Sequence, residues 1–266
     1  MKKRYILIDI LGPCANNHGL GNQMFQIAAG ISYAKDYGFE ARFPCLHQKK
    51  YGGYTANILR KLNIDNLNFE SYQSPPTVTE AMESSFSYSP LPKTEDPILL
   101  VNNSYLQSEK YFSHNRELIL DVFEPAAEDL VYLKRKYNLT KSTTSMHIRR
   151  KDYLQYSAYH TNLMETGYYD KALETLDPEA VIVFSDDPDW VREEFPDYTV
   201  AEEADYLELY LMSLCDNNII ANSSFSWWGA WLNKNPRKKV VAPKNWFGER
   251  HAHDTKDLIP SDWILL

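Results

Sequence analysis

The sequence has no basic excess: 28 lysines and arginines stand against 36 acidic residues, giving a formal net charge of −8. A protein whose main partner is nucleic acid normally carries a basic surplus, so that class is set aside, although a local basic cluster can still bind a small anion. No apolar run approaches the ~20 residues of a membrane-spanning helix. Lys2, Lys3 and Arg4 precede an apolar run, but it extends only from Tyr5 to Ile8 before Asp9. That is short of the ~7–15 residues of a secretory signal's apolar region, and a buried first strand is the better reading. Cysteine is scarce and scattered: Cys14, Cys45 and Cys215 are odd in number and lack metal spacing. They read as reduced thiols of a cytoplasmic protein. In that compartment the sequons at Asn102, Asn138 and Asn222 are chance occurrences. Nothing matches H-E-x-x-H, a cysteine pair, an EF-hand or the G-x-S-x-G elbow.

What is present is ample core material. Of 266 residues 44% are hydrophobic and 14% aromatic, which excludes disorder and low-complexity classes. The length fits one large domain or two of roughly 130 residues. A strand at Tyr5–Ile10 leads through a glycine-bearing loop into a helix expected over Asn22–Tyr37, where Met24, Ile27, Ala28, Ile31, Ala34 and Tyr37 recur at helical spacing and Gly38 supplies a stop. Residues 71–97, rich in Ser, Thr and Pro, read as a long loop. A strand at Pro97–Asn102, a helix from about Glu109 and a helix over 127–137 follow. The second half alternates β-prone runs (Thr144–Ile148, Ala180–Phe184, Tyr198–Ala201, Asn218–Ala221, Lys239–Ala242) with helical stretches (Gly167–Leu176, Pro188–Glu194, Ala204–Cys215, Phe225–Asn233). That alternation predicts an α/β fold with parallel sheets and helices on both faces.

Polar clusters fall just past the expected carboxyl ends of these strands: RRKD after SMHI, SDD after VIVF, NSS after NIIA and PKNW after KVVA. In open α/β sheets ligands bind at that edge. Arg149 and Arg150 offer forked donors that match phosphate oxygens, while a surface ion pair with Asp152 is the plainer use of such a pair. His147 lies on the strand itself, where a core histidine is the commoner outcome. Asp186 and Asp187 can cap the helix at Pro188 or accept hydrogen bonds from guanine. They could also hold a divalent cation, but the neighbouring arginines can do that electrostatic work, so no metal is expected. Ser185 and Ser224 are ordinary helix caps when taken singly. His18-Gly-Leu-Gly-Asn-Gln23 brings backbone N–H groups to a helix start, where a phosphate or sugar can dock. The pattern lacks the third glycine of a dinucleotide fingerprint and the GK[ST] of a P-loop.

Taken together, GLGNQMFQIAAG (Gly19–Gly30), SYLQSEKYF (Ser104–Phe112), HIRRKDY (His147–Tyr153), FSDDPDWV (Phe184–Val191), NSSFSWWGAWLN (Asn222–Asn233) and APKNWF (Ala242–Phe247) resemble the bacterial α-1,2-fucosyltransferases of glycosyltransferase family eleven. The matches keep their order over nearly the whole chain. H-x-R-R-x-D is shared more widely among fucosyltransferases, and FSWWGAWLN looks particular to this family. PCANNH stands where the family usually has a short glycine run, which bears on acceptor choice.

The resemblance implies a GT-B architecture: two Rossmann-like domains with parallel sheets facing a central cleft. Residues 1–138 would hold the acceptor and residues 139–266 GDP-fucose, with a C-terminal tail that can return to the first domain. It further implies inverting, metal-independent and cofactor-free transfer of L-fucose from GDP-β-L-fucose to the 2-hydroxyl of a terminal galactose, so the partners are a nucleotide sugar and a galactose-terminated glycan. On this reading Arg150, and with it Arg149, stabilises the departing diphosphate, at a scale of ~3 kcal/mol for one preorganised donor. Asp152 ranks before His18 as the base. His147, Gly21, Asn22, Ser185, Asp186, Asp187, Asn222, Ser223, Ser224 and Phe225 line the donor site. Rival readings are a fucosyltransferase of α-1,6-like linkage and, suggested by six tryptophans and 19 tyrosines, a non-catalytic carbohydrate-binding protein. A cytoplasmic location is expected, and peripheral contact with the inner face of the membrane stays open.

Overall fold

The computed structural model describes residues 3–8, 19–43, 77–139, 142–251 and 253–266. The chain divides into two compact units, Met1–Glu124 with Asp254–Leu258, and Pro125–His253 with Ile259–Leu266.

The first unit contains β1 (Tyr5–Ile8), α1 (Leu20–Tyr37), β2 (Glu40–Arg42), β3 (Val78–Ala81), β4 (Ile98–Val101) and α2 (Arg116–Val122). Its strands form one parallel sheet in the order β2-β1-β4-β3. The helix α1 ends where the spacing said it would: Gly38 sits at φ 69° and returns its N–H to Ala34 O, a left-handed cap that glycine takes without strain. β3 was not foreseen. It lies inside the Ser/Thr/Pro-rich stretch read as a loop, and as an edge strand it needs only one partner and little apolar content. The helix expected from Glu109 is two short 3₁₀ turns, Glu109–Tyr111 and Ser113–Asn115, before α2 begins at Arg116. The break comes at Phe112, whose backbone leaves the helical region (φ −147°) and whose ring is buried beside Phe25. The tail segment 254–258 is tied into this unit. Ser87 Oγ donates to the Asp254 carboxylate at 2.9 Å, and Tyr88 N–H donates to Asp257 at 3.1 Å.

The second unit contains α3 (Ala127–Lys136), β5 (Thr143–Ile148), α4 (Lys151–Gln155), α5 (Tyr168–Leu176), β6 (Ala180–Ser185), α6 (Pro188–Glu194), β7 (Thr199–Val200), α7 (Asp205–Leu214), β8 (Asn217–Ile219), α8 (Ser224–Leu232), β9 (Val240–Ala242) and β10 (Ile264–Leu265). The six strands are all parallel, in the order β10-β9-β8-β5-β6-β7. The expected alternation is present, and β5 is buried along its whole length, as a central parallel strand must be. The change of unit comes at Glu124–Pro125, ahead of the break expected at 138. The reason is side-chain pairing: Tyr137 and Tyr132 of the α3 segment donate to Glu203 at 3.1 and 3.2 Å, and Lys136 pairs with the same carboxylate.

α7 and α8 pack very closely. A Cβ at Gly229 would lie 2.7 Å from Met212 Cβ, so only glycine fits there without displacing that side chain. Around this contact sit Trp227, Trp228 and Trp231, fully buried, with Trp263 against Trp227 at 5.5 Å. Trp246 is also buried, so five of the six tryptophans are spent on packing. The carbohydrate-binding-module reading loses the tryptophan part of its basis, because buried rings cannot stack on a sugar.

Glu208, on α7, is partly buried among Glu202, Glu203 and Asp205, and its pKa is pushed up to about 7, chiefly by burial. A carboxyl that titrates near 4.5 when unfolded and near 7 when folded withdraws stability as pH rises across that window. Glu208→Gln is expected to be neutral at pH 4.5 and to stabilise the protein by about 1–3 kcal/mol at pH 8. Thermal denaturation of both proteins at the two pH values checks this, and an equal shift at both would refute it.

Candidate active site

The strand order sets the site. From β5 the chain moves outward through β6 to β7, then returns to the other side of β5 at β8. Connections leaving neighbouring strands in opposite directions open a crevice at their carboxyl ends. The segments after β5, β6 and β8 carry RRKD, SDD and NSS, and the structure brings them together.

Asp186 organises the cluster. Its two oxygens accept the backbone N–H groups of Arg150 and Lys151 at 2.9 and 3.1 Å. These are orphan donors at the start of α4, capped from the neighbouring strand's end. The two arginines then diverge. Arg149 Nε and Nη2 donate to Asp152 Oδ1 and Oδ2 at 2.8 and 2.9 Å, and Asp186 lies 3.5 Å from Nε. Burial works against this charge, but the carboxylates outweigh it and hold the guanidinium's pKa above its ordinary value. Arg150 donates through Nε to Asp187 at 3.1 Å, and its guanidinium carbon sits over Trp190, 3.9 Å from the ring centroid. Its two terminal nitrogens have no partner among the described residues. The forked end of Arg150 is therefore available to an anion, while Asp152 has both oxygens on Arg149.

The remaining sequence-predicted residues divide by role. His147 is buried, its Nδ1 without a partner, and burial, helped by Arg149, pushes its pKa down to about 3. It is a neutral imidazole packed 5.7 Å from the Phe225 ring. Ser185 Oγ accepts the Asp187 N–H at 3.1 Å and shapes the turn into α6. The Asn222 amide is committed inside the protein, donating to Thr161 O and Trp246 O at 3.1 and 2.9 Å. Ser223 caps α8, its Oγ accepting the Phe225 N–H, and Ser224 opens that helix. Asp186 and Asp187 are engaged with Arg150, as described, rather than left open. Gly21 and Asn22 lie in the first turn of α1 in the other unit, where Asn22 Oδ1 accepts from Gln107 at 2.7 Å. His18 lies outside the described residues.

Three residues of this cluster were missed. Trp190 supports Arg150. Tyr153 donates its hydroxyl to Asn222 O at 2.8 Å, joining the segments after β5 and β8. His160 stacks on Tyr153 with centroids 4.0 Å apart and planes at 5°. Trp190 and Tyr153 sit inside the quoted motifs, so position alone could have flagged them; His160, twelve residues past β5, carries no local signal. A separate surface hollow of about 450 Å³, lined by Lys136, Tyr137, Asn138, Thr199, Val200 and Glu202, contains none of these groups.

Comparison with known proteins gives a consistent picture. The model of the family described as "Glycosyl transferase family 11" matches residues 14–266. The chain is 38% identical to the O-antigen biosynthesis glycosyltransferase WbnK of Escherichia coli over 61% of its length and 59% of that protein. It is 30% identical to an alpha-1,2-colitosyltransferase of Escherichia coli over 93% of its length and 96% of that protein. It is 26% identical to a galactoside 2-alpha-L-fucosyltransferase of Caenorhabditis elegans over 88% of its length and 72% of that protein. Among solved structures, fucosyltransferase NodZ from Bradyrhizobium superposes with a TM-score of 0.55 at 13% identity, covering 86% of this chain and 92% of that one. The α/β GT-B fold class expected from the sequence is the fold found. Among the described residues no helix is long and apolar enough to cross a membrane.

Removing the Asp186 carboxylate strands two backbone donors, whereas removing Asp187 loosens one partly exposed ion pair. Asp186→Ala is expected to cost roughly 2 kcal/mol and Asp187→Ala under about 1 kcal/mol. Chemical denaturation of the two variants side by side gives the comparison, and the reverse ranking would contradict the capping role.

Proposed function

This chain belongs to glycosyl transferase family 11, and on that premise we propose that it transfers L-fucose from GDP-β-L-fucose to the 2-hydroxyl of a terminal galactose, inverting the anomeric centre without a metal ion. The observation that carries the proposal is the open end of Arg150. Its guanidinium is braced by Asp187 and Trp190, and two terminal nitrogens, with four N–H donors, remain for a diphosphate. Inversion takes one displacement: the galactose oxygen bonds to fucose C1 as the bond to the β-phosphate oxygen breaks, and that oxygen takes the electron pair. Arg150 stabilises the charge as it develops, while Arg149, held by both oxygens of Asp152 and near Asp186, has its charge largely balanced and orders the segment that carries Arg150. Bracing matters because a donor already in place needs no reorganisation in the transition state. Asp152 is thereby an orienting carboxylate, and the second unit is the donor side.

The linkage and acceptor rest on relatives. The worm relative is a galactoside 2-alpha-L-fucosyltransferase, and the colitosyl relative, also α-1,2, matches 93% of this chain. That second relative favours one alternative donor, a sugar like fucose but lacking the 3-hydroxyl. A site with a hydrogen-bonding partner for that hydroxyl discriminates strongly between the two, and a site without one does not.

Calorimetry with GDP is the first test: a chain that takes up no GDP is not this enzyme. Arg150→Lys keeps the charge and loses the fork, so kcat for transfer from GDP-fucose is expected to fall roughly 100-fold or more; a near-normal kcat would remove the role. Transfer is expected to persist in EDTA, and product linkage read by NMR separates α-1,2 from α-1,6.

A further inference from the structure

We propose that His160 is the general base that takes the proton from the acceptor hydroxyl. The inference rests on the donor-site reading above and names the group that reading leaves out. Asp152 has both oxygens hydrogen-bonded to Arg149, and His147 is sealed in the core. His160 is differently placed. Its backbone is pinned by an antiparallel bridge to Phe247 and by its N–H to Tyr156 O at 3.1 Å. Its ring lies flat on Tyr153, whose hydroxyl is fixed on Asn222 O. The imidazole is thus oriented at the point where the segments after β5 and β8 meet, beside the arginine cluster. It stays partly exposed, and neither ring nitrogen has a hydrogen-bond partner among the described residues. An oriented, partly exposed imidazole with an open nitrogen beside the arginine cluster is what proton transfer requires.

The charged and titratable groups around it set its working range. Burial, the largest influence, draws its pKa below 6.5, Asp152 raises it, and His251 and Arg149 lower it further. The ring is therefore neutral and able to accept a proton at pH 7. In the reaction the O–H bond of the acceptor breaks and the proton passes to an imidazole nitrogen. The oxygen forms the bond to fucose C1, and the C1–O bond to the diphosphate breaks with its electron pair on the leaving oxygen.

The test separates base from packing. His160→Phe keeps a flat ring for Tyr153 but offers no nitrogen. Transfer from GDP-fucose to a galactose-terminated disaccharide is followed across pH 5–9, with GDP affinity measured by calorimetry in parallel. The wild type is expected to lose kcat as pH falls through a value below 6.5. In His160→Phe, kcat is expected to drop roughly 100-fold or more, with that acid limb gone and GDP affinity unchanged. A His160→Phe enzyme within about threefold of wild type, or one that keeps the acid limb, would overturn the assignment. If that variant does not fold, His160→Gln is read by the same measurements. A wild-type chain that refuses GDP condemns the donor-site reading instead, so the two failures are distinct.

Discussion

One carboxylate holds the cluster together. Asp186, at the end of β6, closes on the two backbone N–H groups that begin α4, directly after β5. A five-residue helix has no cooperative stability of its own, and its first donors would otherwise have to find water. Capping from a neighbouring strand fixes where α4 starts and hence the direction in which Arg149 and Arg150 leave the backbone. Register makes this work: β5 and β6 pair from Thr143↔Ala180 to Ile148↔Ser185, so the two strands end level and the residues just beyond them meet.

From that fixed origin the two guanidiniums take different surroundings. Arg149 is held by a bidentate carboxylate with a second one nearby, so its charge is largely balanced within the protein. Arg150 spends one nitrogen on Asp187 and one face on Trp190, leaving its fork open. An arginine over an indole gains cation–π attraction and loses conformational freedom. Both effects suit a group that must meet developing charge without moving. The same economy of orientation recurs beside the arginines, where Tyr153 is anchored by its hydroxyl and presents its ring to His160.

The tryptophans, numerous enough to suggest a sugar-stacking surface, are mostly structural. The indoles of α8 fill the space between that helix and its neighbours, and Gly229 permits the approach of α7 that closes it. This interior puts α8 in place, and with it the Ser223 cap and the Asn222 turn that bound one side of the crevice. Packing far from the arginines thus sets the geometry near them.

Much of this was legible in the sequence because it depends on local periodicity. The β/α alternation of the second half, the helix expected over Asn22–Tyr37 with its Gly38 stop, and the polar clusters at strand ends follow from spacing and residue type alone, the structure starting that helix at Leu20. Two kinds of feature were not legible. An edge strand such as β3 carries little hydrophobic signal, since it buries one face weakly and draws its stability from β4. Side-chain partnerships across strands leave no mark in a linear sequence. That Asp186 caps α4, that Asp152 belongs to Arg149, that Asn222 spends its amide on Thr161 and Trp246, and that His160 lies on Tyr153 were decided by which strand stands beside which. The sequence determined the elements and the kinds of chemistry they carry; the tertiary structure decided which polar groups satisfy one another and which remain open to a ligand. The physical reason is that hydrogen-bond satisfaction is settled between neighbours in space, and only the fold makes those neighbours.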